Sequence, residues 1–345
     1  MKKNLQKIGF LLLALCLVIC AVSCNGKQEA PAATTAAEGE SAPQSPLIGD
    51  PSEEYYMVTF FSGIDFWKQC FEGFEDAAEL YGVTPRYDGA PEYELNNAIT
   101  VLEQIIAKNP RGIAVTCMNP DAYVEPINKA IEKGITVVTF DSDAPLSKRY
   151  ANLSTGNYYG GVLAARQMAK FLGEKGEVGV VGVPGQLNLE QRTNGFLDTI
   201  KNEYPNMKVV QVVNGNAEEM KGAEVTASLI QAWPNMKGVY ACNANMGIGV
   251  GSAVEEAKKT DDIYVVSFDV DPGLIAGIDD GTIDACIAQG AWNMGFWSMQ
   301  CLYLVEHDLV SPVQGWREKG VNPLPPYFDT GVSVVTKENV DAFRR

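Results

Sequence analysis

The chain has 345 residues, 46% hydrophobic and 20% charged, with 27 basic against 43 acidic side chains and a net charge of −16. That balance excludes a nucleic-acid partner held by phosphate contacts, because the long-range field repels polyanions. A single histidine, His307, and no Cys-x-x-Cys pair leave little material for a zinc site or a serine-type triad, so neither metal nor cofactor is expected.

Lys2, Lys3 and Lys7 precede an apolar run from Ile8 to Val22, and the small Ser23 precedes Cys24. This is the pattern of a secretory signal over residues 1–23, and the run is short of the roughly 20 residues a bilayer crossing needs. Ala21-Val22-Ser23-Cys24 resembles the bacterial lipobox, with Ala21 where that motif usually has leucine. Cys24 would then be acylated and tether the chain to a membrane; ordinary cleavage with Cys24 incidental is the competing reading. Residues 24–54 are rich in Ala, Thr, Glu, Pro, Ser and Gly and read as a flexible tether. Loss of residues 1–23 leaves 24 basic against 43 acidic residues, a net of −19. It also leaves Cys70, Cys117, Cys242, Cys286 and Cys301, mostly in apolar runs, as small core residues are. Export leaves a disulfide between two of them open.

The remainder is long enough for two domains. Short β-branched runs recur at residues 56–61, 112–116, 135–140, 178–183, 209–213, 238–242, 263–268 and 285–288. Near-continuous apolar runs of this length predict strands covered on both faces. Between them lie helical spacings such as Phe71, Phe74, Ala78, Tyr81 and Ala98, Val101, Leu102, Ile105. Strand and helix in alternation predict an α/β fold of parallel sheets with right-handed crossovers. The series divides into about four units before Tyr150 and about four after Asn157, so two lobes are expected.

Ligands of such sheets bind at the carboxyl ends of the strands. There the chain places Ser62, Asp65, Phe66 and Trp67, then Asn119, then Asp141, Ser142 and Asp143. The second half places Arg192, Asn243, Asp269 and Gln289, with Trp292 just beyond. Aromatic faces with carboxylate, amide and guanidinium groups complement a sugar, whose ring faces are apolar and whose hydroxyls both donate and accept. Each residue also has a plainer reading. Phe66 and Trp67 are residue types that pack helix starts, Asp65 and Asn194 ones that cap helices, and Asp141 and Asp269 turn formers; Arg192 could pair with Glu190.

In sequence the stretch from Tyr55 onward resembles the periplasmic sugar-binding proteins of ribose, galactose and xylose importers. Phe66-Trp67 matches an aromatic pair that stacks on the sugar, Met118-Asn119-Pro120 an asparagine-proline turn, and Phe140-Asp141 an aspartate that grips hydroxyls. The segment Gln191 to Phe196 matches one carrying a ligand arginine, Cys242-Asn243 a ligand asparagine, Ser267-Phe268-Asp269 a second aspartate, and Ile287-Ala288-Gln289 a hinge glutamine. Two positions depart: Ser142 stands where ribose binders have arginine, and Ala217 lies where they have an aromatic.

The resemblance implies a periplasmic binding protein of type I, with two Rossmann-like lobes joined by a three-segment hinge. The first lobe would span residues 55–155 plus 290–325, the second 156–289 plus 326–345, with crossings near Ser154–Gly156, Gln289–Gly290 and Pro323–Pro326. It further implies a monomer without enzymatic activity that captures a monosaccharide or related polyol and delivers it to an ABC permease with a cytoplasmic ATPase. Alternatives are a sensor of an inositol or furanosyl autoinducer feeding a chemoreceptor or sensor kinase, and a glycoside-processing enzyme built on Asp141 and Asp269. The Gly247-Ile248-Gly249-Val250-Gly251 run lacks the spacing of a dinucleotide fingerprint and reads as helix packing.

Overall fold

The protein was analysed as a computed structural model that describes residue 45 and residues 47–344. The signal segment, Cys24 and most of the tether lie outside the described residues. In the first half β1 (Glu54–Thr59), β2 (Thr84–Gly89), β3 (Gly112–Val115), β4 (Thr136–Phe140) and β5 (Asn152–Ser154) pair in parallel in the order β2-β1-β3-β4-β5. Helices α1 (Asp65–Tyr81), α2 (Leu95–Lys108) and α3 (Val124–Glu132) make the crossovers. The stripe of α1 buries Trp67, Cys70, Phe74, Ala77, Ala78 and Tyr81, and Gly82 ends the helix at φ +67°, in the left-handed region glycine enters without strain.

After β5 the chain enters the second lobe through α4 (Asn157–Leu172). There β6 (Gly176–Gly182), β7 (Met207–Asn214), β8 (Met236–Ala241), β9 (Tyr264–Phe268) and β10 (Ala285–Gln289) repeat the order as β7-β6-β8-β9-β10. The crossovers are α5 (Leu187–Glu203), α6 (Glu219–Ala232), α7 (Ala244–Glu256) and α8 (Pro272–Asp280). From β10 the chain returns through α9 (Ala291–Glu306), whose Met294, Leu302 and Tyr303 belong to the first-lobe core. Finally β11 (Tyr327–Asp329) lies parallel to β5, and β12 (Val332–Thr336) antiparallel to β10. The polypeptide thus passes between the sheets three times, and the fold is the two-lobed type I architecture.

The third passage differs from the expected Pro323–Pro326. Because β11 pairs with β5, the crossing falls at Thr330–Gly331, and Tyr327 to Asp329 belong to the first lobe. The tether also ends earlier than residue 54: the Gly49 N–H donates to the Tyr81 carbonyl at 2.7 Å, and the Thr84 hydroxyl to that of Pro51 at 2.6 Å. Strand β2 escapes the apolar pattern because it is an edge strand, half exposed, reading Thr-Pro-Arg-Tyr-Asp-Gly; proline is tolerated there because an edge N–H has no obligatory partner.

All five cysteines among the described residues are free and buried. The Gly247 to Gly251 run lies inside α7 and is packing: a methyl on Gly249 would sit 2.1 Å from the Glu219 carbonyl oxygen, and one on Gly247 1.8 Å from the Ser267 hydroxyl. No helix among the described residues is long and apolar enough to cross a membrane.

Candidate functional site

Both sheets present their carboxyl ends to one cleft, which encloses a cavity of about 220 Å³. The first lobe supplies an aromatic wall, Phe60 and Phe61 after β1, Phe66 and Trp67 at the start of α1, and Tyr93 after β2, together with Asp141 at the end of β4. The second lobe supplies the polar edge: Asn188 and Arg192 on α5, Asn243 before α7, Asp269 after β9, and Gln289 at the end of β10. The lobes touch across the cleft. Tyr93 donates its hydroxyl to the Gln186 side-chain oxygen at 3.1 Å, and the Asn188 amide lies 3.4 Å from both Asp141 carboxylate oxygens.

Arg192 organises the polar edge and is only 2% exposed. Its Nε donates to Asn157 at 2.8 Å, one terminal nitrogen to the Cys242 carbonyl at 3.1 Å, and the other to Gln289 Oε1 at 2.8 Å. The guanidinium carbon lies 3.8 Å from the centre of the Phe268 ring, a desolvated cation–π contact. Gln289 Oε1 also accepts from the Thr155 hydroxyl at 2.8 Å, and its Nε2 donates to Asp269 at 2.5 Å. Residues of two hinge segments therefore hold the arginine and the aspartate directly.

Asp141 and Asp269 both have left-handed backbones, with φ +55° and +77°. Such conformations cost energy for non-glycine residues and concentrate at functional sites; here they turn each carboxylate from its strand end into the cavity. Burial pushes the Asp141 carboxyl up to about 6, with nearby Arg192 opposing and Asp269 adding to the rise. Burial likewise raises Asp269, against Arg192 and the hydrogen bond from Gln289.

Seven of the expected residues line the cavity: Phe66, Trp67, Asp141, Arg192, Asn243, Asp269 and Gln289. Trp67 is not an open stacking plane, because it is 3% exposed and edge-packed by Phe60, Phe66 and Phe140 at 5.1–5.7 Å. The rings left to meet a ligand are those of Phe61, Phe66 and Tyr93.

The other expected residues serve locally. The Asn119 side chain accepts the Asp121 and Ala122 N–H groups at 3.0 Å, a turn cap. Asp65 pairs with Lys68, and Asp143 with Arg149. Ser62 offers its carbonyl to Tyr87, and Ser142 is buried behind the cavity wall. Trp292 stacks on Phe296 and donates to Asp76 at 2.8 Å, away from the cavity.

The sequence reading missed Tyr93, Asn188, Asp271 and the anchoring Asn157. Asn188 was findable, since it lies one helical turn before Arg192 and so on the same face. Asp271 stands two residues past Asp269 as the N-cap of α8, with Pro272 at the first helical position.

Two doubly wound lobes that pass the chain three times and close on a polar, aromatic-walled pocket define a solute-capture protein. The chain belongs to the family described as periplasmic binding protein domain, whose model matches residues 55–306. It is similar to the D-allose-binding periplasmic protein of Escherichia coli (strain K12), 29% identical over 70% of this chain and 81% of that protein. Among solved structures it resembles AraP, an arabinose binding protein from Geobacillus stearothermophilus, with 45% identity, a TM-score of 0.79 and coverage of 86% of this chain and 100% of that one. It also resembles the sugar-binding protein of a sugar ABC transporter from Bacillus halodurans, with 44% identity, a TM-score of 0.81 and coverage of 85% and 100%.

Proposed function

We propose that this chain is the extracytoplasmic solute-binding component of an ABC importer and that its cleft captures a monosaccharide, arabinose being the first candidate. The observation that carries this reading is the division of labour in the cavity: aromatic rings from one lobe oppose Arg192, Asn243, Asp269 and Gln289 from the other. That arrangement suits a sugar's apolar faces and hydroxyl girdle, and the similarity to an arabinose binding protein at 45% identity supports the choice of sugar. Ligand held by both lobes favours the closed form, which is the form offered to the permease.

The cavity binds and does not turn over its ligand. Asp269 is engaged by Gln289, and Asp141 by Asn188 and Thr116, which suits both carboxylates to gripping hydroxyls. The chain is delivered by its signal segment, acylated at Cys24, and works as a monomer. Loss of radiolabelled fatty acid in Cys24→Ala checks the acylation.

A thermal-shift panel of pentoses, hexoses, polyols and nucleosides tests the ligand class, because a ligand that binds only the folded state raises the melting temperature by mass action. Arabinose is expected to give the largest shift among the pentoses. A shift with nucleosides alone, or conversion of any sugar during incubation, would overturn the proposal.

A further inference from the structure

The cavity is unbalanced in charge. Asp141 reaches it from the first lobe, and Glu218, Asp269 and Asp271 from the second, against the single guanidinium of Arg192. That guanidinium already donates to Asn157, the Cys242 carbonyl and Gln289. Two cations that stand beside residues of the strand ends are committed elsewhere, Arg149 to Asp143 and Lys68 to Asp65. Like charge also reaches across the cleft, because Asp65 of α1 bears on Asp271 from the opposite lobe, and Asp269 bears on Asp141.

We propose that the closed cleft selects against anionic sugars, and that Asp271 is a specificity-determining residue for this selection. The inference rests on the monosaccharide reading above and deepens it. A hydroxyl of a neutral sugar donates to a carboxylate, and an ammonium of an amino sugar is attracted to it. A uronate carboxylate, by contrast, meets like charge at short range in a medium that screens it poorly. Discrimination between similar ligands commonly needs such a repulsive element besides the attractive contacts. The two departures noted in the sequence bear on the same point. Ser142 leaves Asp141 without a cation next to it in sequence, and Ala217 lines the cavity without a ring beside the carboxylates of Glu218 and Asp271.

The repulsion is titratable. Burial, with Asp269 and Asp65 beside it, pushes the Asp271 carboxyl up to about 7, and that of Asp141 stands at about 6. Asp269 from the end of β9 and Asp65, paired with Lys68 on α1, bear on Asp271, and Arg192 on α5, Glu218 ahead of α6 and Asp141 from β4 are the other charged groups that line the same cavity. A raised carboxyl carries its charge above its pKa and loses it below. Rejection of an anion is therefore strongest at pH 8 and weakens as pH falls through 7 and 6.

Calorimetric titration of the full exported chain with L-arabinose, D-galactose, D-galactosamine and D-galacturonate, at pH 8 and pH 5.5, tests this. At pH 8 the uronate should bind roughly 100-fold more weakly than the tighter neutral sugar. Asp271→Asn should narrow that gap about tenfold at pH 8. The wild-type gap should narrow by a similar factor at pH 5.5, where the uronate is still ionised, and this arm needs no variant to fold. Equal binding of uronate and neutral sugar by the wild type at pH 8 would overturn the inference alone, as would a gap that neither the variant nor acid changes. Failure of all four sugars to bind would sink the monosaccharide reading and this inference with it.

Discussion

Burying a guanidinium costs several kcal/mol unless its N–H groups are met, and Arg192 is met by one side chain from each of two hinge segments and by a backbone carbonyl. Asn157→Ala would strand the Nε–H and free the ring of donors to rotate. A stranded buried donor costs about 1–3 kcal/mol, so ligand affinity should fall about tenfold by calorimetry, with the circular dichroism spectrum unchanged. Asp141 makes a different prediction. Its carboxyl stands above the ordinary range, so its protonation stabilises the closed fold fully at low pH, and that contribution is lost as pH rises through about 6. Ligand-free Asp141→Asn should therefore melt higher than wild type at pH 8, by a margin that shrinks as pH falls from about 6 and closes only near the ordinary carboxylate value of 3.8, while losing sugar affinity throughout. Arg192, Asp269 and Gln289 were legible through the order in which they match the resembled family, since each residue type alone also suits a surface pair or a turn. Asn157 was not, because an asparagine at a helix start reads as a cap; Asn119, which the resemblance matches to a ligand residue, instead closes the turn ahead of α3.

The helices show a device that recurs in both lobes. Where α4 crosses α5, a methyl on Gly161 would sit 2.0 Å from the Arg192 carbonyl oxygen, and one on Gly195 2.0 Å from that of Tyr158. Where α1 crosses α9, a methyl on Gly73 would sit 2.0 Å from the Trp292 carbonyl oxygen, and one on Gly295 1.6 Å from that of Cys70. In each pair, one helix follows a hinge crossing and its partner carries residues of the cavity, so each pair joins hinge to site at backbone contact. Gly161→Ala and Gly73→Ala should each destabilise by about 1–3 kcal/mol in urea titrations, since neither contact can yield without moving backbone. Gly161→Ala should also cost the larger share of ligand affinity, because the backbone it displaces is that of Arg192. The central strands and helices were legible from apolar runs and 3.6-residue stripes because both faces of each sheet are covered. Of the edge strands only β7 was read, at residues 209–213: β2 is half polar, and β11 has too few residues to form a pattern.

At the scale of the molecule, the lobes meet through the Tyr93 to Gln186 hydrogen bond and the Asn188 to Asp141 contact, and the three crossings join them. Tyr93→Phe keeps the ring and removes a contact that exists only between closed lobes. A single hydrogen bond of net worth 0.5–1.5 kcal/mol predicts ligand release faster by roughly threefold to tenfold in stopped-flow measurements. The first crossing was legible where one strand-helix series gives way to the next, and the second came from the resemblance, through Gln289. The third was not, because the residues that fix it, Tyr327 to Asp329, declare their lobe only through pairing with β5. That late return has a kinetic meaning. The second lobe lies almost wholly in one stretch of chain, from α4 to β10, whereas the first needs α9 and β11, which follow it. Domains fold as units in the order they are synthesised, but here the lobe begun first is completed last. Until Met294, Leu302 and Tyr303 emerge, the core around Tyr55 and Phe74 stays open. No chain still being synthesised therefore holds a finished cleft, and the site is complete only once the last strands are made.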